Sequence, residues 1–230
     1  MSGQSRALKE GGGLGQALKR FFSNDSMSVA LFSLFLVCLA AQALTGWFAF
    51  NHDLRSAHFP QIGFSTYLGT GTFLDGVFSN WQAAILQLAV LISFGSVLRQ
   101  RGAPHSKKGE GASHRKLSLR LTLKPTVGEW LRCNGLALTF FAMFVATFAC
   151  HALFGSWKHN EDQMLRGLAA SSFSAYASSS SFWFSVFQCW EAEFAAIGVY
   201  IVLSIFLRQE GSPESKPVDA GDKETGETNS

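Results

Sequence analysis

Six polar side chains fall inside or at the edge of otherwise apolar stretches of this sequence: Gln42, Gln82, Gln87, His151, Glu191 and Glu193. Polar groups in apolar surroundings are costly, so they either bond to neighbouring helices or do work. His151 lies six residues before Trp157, and Glu193 three after Trp190, so both can sit near one depth on neighbouring helices. An imidazole beside a carboxylate there would hold its proton more tightly and form a proton-responsive pair. The six residues support a ligand, ion or proton site; the plainer reading is hydrogen-bond glue between helices. Haem or metal chemistry on His151 lacks an evident second ligand. No metal, cofactor or catalytic residue is assigned.

The stretches that must position these groups are 27–49, 78–98, 135–157 and 186–207. Each is nearly free of charge and reaches the length of about 20 residues that a helix needs to cross the hydrocarbon core. Charged residues make up 15% of the chain, against about a quarter in a soluble domain, and the total leaves no room for a separate soluble catalytic domain. An all-helical membrane protein of four spans is expected, with the lipid bilayer as its partner and homo-oligomerisation left open. A net charge of +3 is too small to argue for nucleic acid.

The position of the charges says more than their sum. Arg6, Lys9, Lys19 and Arg20 precede the first stretch, and nine basic residues from Arg99 to Arg132 lie between the second and third. The loops after the first and third hold only Arg55, Lys158 and Arg166. The positive-inside rule then puts both termini and the central loop in the cytoplasm. Ala41-Gln42-Ala43 resembles a signal-cleavage site, but the apolar stretch is long for a signal and its counterpart lies mid-chain. Cys38, Cys133, Cys150 and Cys189 show no ligand or disulfide spacing and read as packing thiols.

Shifted by 109 residues, the sequence matches itself without a gap from Phe21–Lys107 onto Trp130–Lys216, with 25 identities in 87 positions. Chance would give about 6. Two helical hairpins inserted the same way up are therefore expected, closing into a four-helix bundle. The organisation reads as a disordered cytoplasmic start over 1–23, a first repeat over 24–107 and a basic cytoplasmic loop over 108–129. A second repeat over 130–216 and a disordered tail over 217–230 follow. Gln42 and His151 are equivalent, as are Gln82 and Glu191.

Each outer loop spans about 25–30 residues and is rich in aromatic residues, which predicts a short amphipathic helix at the membrane surface, with a re-entrant loop as the alternative. Each repeat closes on the same block: Arg99, Gln100, Gly102, Pro104 and Lys107 in the first, Arg208, Gln209, Gly211, Pro213 and Lys216 in the second. This reads as a cytoplasmic helix stop, with arginine in the last turn, glycine as left-handed cap and proline beyond. The small residues Ala40, Ala43 and Gly46 recur as Ala149, Ala152 and Gly155 and allow close helix approach. Lys116–Lys124 alternates with period two and suits a short strand or a basic segment on anionic lipid.

Four motifs carry a family resemblance: Leu44-Thr45-Gly46-Trp47, the stretch Tyr67–Leu74, Asn80-Trp81-Gln82 with the following Leu86-Gln87, and Leu207–Asp219. Over about residues 24–219 the chain resembles an uncharacterised family of bacterial membrane proteins, classed as a domain of unknown function. The resemblance implies a bacterial inner-membrane protein with a duplicated hairpin, and supplies no activity. The function expected is a non-enzymatic scaffold or small transport or sensing module. The alternatives are a redox or cofactor-binding protein using His151, or an anionic-lipid binder acting through the central loop.

Overall fold

The computed structural model describes residues 25–106 and 126–226, and among them every regular element is a helix. In chain order these are α1 (Ser26–Ser56), α2 (Phe64–Tyr67), α3 (Gly71–Val97), α4 (Val127–Leu165), α5 (Phe173–Ala177) and α6 (Ser180–Phe206). The four long helices are long and apolar enough to cross a membrane. At most 28% of the most apolar window of any of them is buried within the protein, so their remaining faces require lipid or another apolar partner. The chain is a multi-pass helical membrane protein. The basic N-terminal residues, Lys107 and the alternating segment Lys116–Lys124 lie outside the described residues.

The helices overrun the apolar stretches. α4 has 39 residues, about 58 Å at 1.5 Å per residue, against a hydrocarbon core of about 30 Å. It continues from Trp157 through Lys158, Asn160 and Glu161, because intrahelical hydrogen bonding does not need apolar side chains. α1 likewise runs through Ala41-Gln42-Ala43 and on past Asn51.

Packing divides the chain at Leu68–Gly69, inside the 24–107 stretch. In the first unit, Trp47 Nε1 donates to the Ile62 carbonyl at 2.8 Å. Asn51 clasps the same residue, donating to its carbonyl at 3.0 Å and accepting from its N–H at 2.8 Å. Tyr67 from α2 lies on Phe50, with its hydroxyl over Gly46. α1 stops at His58, whose φ of 63° is left-handed, with Phe59 N–H bonding back to the Leu54 carbonyl at 2.8 Å.

The second unit repeats these devices with different residues. α4 stops at Gly167 (φ 71°), and Leu168 N–H reaches the Gln163 carbonyl at 2.9 Å. Asn160 clasps Ser171, at 3.1 Å to its carbonyl and 2.8 Å from its N–H. The Tyr176 hydroxyl lies over Gly155. α3 packs along α4 and also against α6. Ala152, Tyr176, Phe182 and Val186 form a small core, flanked by Phe148 and Trp190.

The helix stops differ from expectation. α3 and α6 end at Val97 and Phe206, with Leu98 and Leu207 already extended, so Arg99 and Arg208 lie beyond the last turn. Gly102 (φ 87°) and Gly211 (φ 75°) are left-handed, but within separate turns that follow the helices. The serine of each block closes its turn: Gln100 N–H donates to Ser106 Oγ and Gln209 N–H to Ser215 Oγ, both at 2.8 Å. Arg208 still serves its helix end, donating to the Ile205 and Leu207 carbonyls at 3.0 Å.

Residues 217–226 of the expected disordered tail are held in turns around two cations. Lys216 is buried, and its Nζ donates to the carbonyls of Gly221, Asp222 and Glu224 at 3.1, 3.2 and 3.3 Å. Arg208 donates to the Ala220 carbonyl at 2.8 Å and pairs with Asp222 at 2.9 Å. A polar composition argues against an apolar core but leaves such cation-centred turns open.

Candidate functional site

Only one of the six sequence candidates forms the centre of a charged site. His151 is fully buried on α4, and four and seven residues on, along the same face, stand Gly155 and Lys158. The facing stripe of α3 carries Gly71, Asp75, Ser79 and Gln82, all buried. Asp75 sits between the two basic groups. Its Oδ2 accepts from Lys158 Nζ at 3.0 Å, and its Oδ1 lies 3.5 Å from His151 Nε2. The Asp75 side chain is 8% exposed and that of Lys158 is 43%, so the lysine joins a buried carboxylate to the more open rim of the site.

Two glycines permit this geometry. At Gly71 a Cβ would meet the backbone nitrogen of Lys158 and come within 2.6 Å of the Trp157 carbonyl carbon. At Gly155 it would meet the Tyr176 hydroxyl and lie 3.0 Å from Asp75 Oδ1. Close approach at both points lets a carboxylate on α3 reach two residues on α4.

Glu161 fixes the start of α3. Its Oε1 accepts from Gly71 N–H at 2.6 Å, and Oε2 accepts from Thr72 N–H and Thr72 Oγ1 at 2.9 and 2.8 Å. A carboxylate there satisfies orphan donors and faces the positive end of the helix. Replacing Glu161 with Gln is expected to lower stability by about 1–2 kcal/mol, read as a lower thermal midpoint in detergent. An unchanged midpoint would show that the cap carries no weight.

Aromatic rings close the site. Phe182 and Phe148 lie 5.4 and 6.5 Å from the His151 ring, centroid to centroid. Burial, and then the Asp75 charge, push the Tyr176 phenol up to about 12, so it stays protonated beside the carboxylate. His151 Nδ1 and Nε2 and Asp75 Oδ1 are buried without a hydrogen-bond partner. Such orphaned atoms are uncommon in folded proteins and mark a place where a proton, water or small polar ligand would be satisfied.

The other candidates are placed differently. Gln82 donates to the Ser79 carbonyl at 3.0 Å and accepts from Trp190 Nε1 at 2.8 Å. Gln87 donates to the Glu193 carbonyl at 3.0 Å. Both act as interhelical glue. Glu191 and Gln42 are exposed, and Gln42 belongs to the first unit. The carboxylate beside His151 is that of Asp75; Glu193 contributes its backbone to the α3–α6 contact. Among the described residues, no group of three His, Cys, Asp or Glu side chains is placed to hold a metal ion.

The family described as "Domain of unknown function (DUF6766)" matches residues 18–227. No curated protein and no solved structure matches the chain.

Proposed function

The chain belongs to this family of unknown function, DUF6766, and we propose that it is a non-enzymatic membrane transport or sensing module whose working part is the Asp75–His151–Lys158 cluster. The observation that carries the reading is a fully buried histidine with both ring nitrogens unpartnered, 3.5 Å from a carboxylate already paired with lysine. Ionisable groups among membrane-spanning helices are expensive and mark ion or proton pathways. With His151 neutral, Asp75 and Lys158 balance. A proton on His151 adds a second cation to one carboxylate. The half-exposed Lys158 is then the partner free to turn toward water, while Asp75 closes on the imidazolium.

A duplicated hairpin in one parallel orientation also belongs to the proposal. It is supported by the 109-residue self-match and by the devices that recur at that interval: the Asn51 and Asn160 clasps, Tyr67 and Tyr176 over glycine, and the Ser106 and Ser215 turns. The distribution of Lys and Arg supports cytoplasmic termini and an outer-facing cluster in a bacterial inner membrane, with α2 and α5 at the outer interface.

The test compares wild type with His151→Gln, the residue type at the equivalent position 42, reconstituted in liposomes. Thermal midpoints between pH 5 and pH 8 should shift with pH in the wild type and shift less in the variant, which keeps the other five histidines. A variant that retains the wild-type pH dependence would sink the reading.

A further inference from the structure

The same turn is built behind α3 and behind α6, but only one of the two is electrically closed. Behind α6, Arg208 is consumed by three carbonyls and by Asp222. Behind α3, the corresponding Arg99 is exposed, and Arg101 stands where the second block has Glu210. Among the described residues neither arginine has an ion pair, and neither does Lys223.

The tail brings these three cations together. Gly102 N–H donates to Thr225 Oγ1 at 2.8 Å, and Gly226 N–H donates to the Ala103 carbonyl at 3.2 Å. A Cβ at Gly102 would lie 2.5 Å from the Asp222 carbonyl oxygen, so glycine is what lets the tail close on the turn. Arg99, Arg101 and Lys223, with Thr225, then line one open depression. Two nearby acids are otherwise engaged: Asp222 with Arg208, and Glu214 with His105 at 2.7 Å and with Tyr200. The Glu224 side chain faces Gly221.

We propose that this depression binds a phosphate group. Guanidinium forks match phosphate oxygens in pairs, and a lysine adds a mobile point charge. The site directly follows the end of an apolar helix, at the level of lipid headgroups in a bilayer. An anionic lipid and free phosphate offer the same chemistry.

Delipidated full-length protein in neutral detergent would be titrated by native mass spectrometry with phosphatidylglycerol, phosphatidylcholine and inorganic phosphate separately. Phosphatidylglycerol is expected to bind roughly tenfold tighter than phosphatidylcholine. The Arg99→Gln/Arg101→Gln/Lys223→Gln variant should lose that preference, and Thr225→Val, which keeps every charge but releases the tail, should weaken it. If inorganic phosphate binds and is lost in the triple variant without a lipid preference, the site stands and its ligand is soluble. Equal binding of all probes would overturn the proposal. So would a triple variant that binds like the wild type, or an equal loss in Arg166→Gln, beyond the far end of α4.

Discussion

Replacing Gly71 with alanine is expected to unseat α3 from α4 and lower stability by about 3 kcal/mol, at the high end for overpacking. The added methyl would meet the backbone nitrogen of Lys158 and lie 2.6 Å from the Trp157 carbonyl carbon. Backbone atoms in a helix cannot turn aside as a side chain can, so one helix must move. The same movement would carry Asp75 away from Lys158 and the helix start away from Glu161. Gly95, on the same helix, has nothing within 4 Å of its would-be Cβ. Gly95→Ala should therefore be neutral or stabilise by up to about 1 kcal/mol, through helix propensity alone. Thermal midpoints of the two variants in one detergent decide the matter, and equal midpoints would refute the close-packing account.

The second large effect concerns the ion pair and is asymmetric. Lys158→Met leaves a carboxylate that is 8% exposed facing a neutral imidazole, and should cost about 3 kcal/mol at neutral pH. Asp75→Asn leaves a lysine with 43% of its side chain outside the protein's own packing and free to reach the interface, and should cost about 1 kcal/mol. The double variant removes both charges and should cost about 1 kcal/mol, recovering most of the Lys158→Met loss and giving a coupling of about 3 kcal/mol. The sign with pH follows from what remains. In Lys158→Met the cation left among the described residues to answer Asp75 is protonated His151, so the loss should be greater at pH 8 than at pH 5. Additive single and double variants would show that the pair carries no coupling.

The membrane helices were legible because lipid leaves a mark on composition: about 20 uncharged residues are what a spanning helix requires. Their outer ends were not. Hydropathy ends at Trp157, yet α4 continues to Leu165, and that added length supplies Lys158 and Glu161. Asp75 was missed for the same reason, since it lies three residues before the apolar stretch 78–98 and reads as loop. In the fold it stands one turn inside α3, buried against a neighbour that the one-dimensional sequence cannot show. A carboxylate between Leu74 and Gly76, flanked by Phe73 and Phe78, was the available signal. The sequence marks His151 as an unusual histidine, but the carboxylate 3.5 Å from it is that of Asp75, not Glu193. Helical spacing predicts a shared depth for Glu193, whose backbone instead meets Gln87. The turns of the tail are not legible in composition, which reports whether a segment can form an apolar core, whereas Lys216 and Arg208 organise this one through backbone carbonyls.

The Asp75–Lys158 pair also constrains how the protein is made. Its partners are separated by 83 residues. At a synthesis rate of about 5–20 residues per second, Asp75 leaves the ribosome roughly 4–16 s before the lysine that neutralises it. During that interval α3 carries an unanswered carboxylate and buried-type glutamines, and it is the least hydropathic of the four long helices, at 1.5 against 2.2 for α1. α1 can enter the bilayer as soon as it emerges, whereas α3 gains its full reason to stay only when α4 arrives. Synthesis order thus leaves this ion pair, and the packing it completes, to form only after α4 has been made.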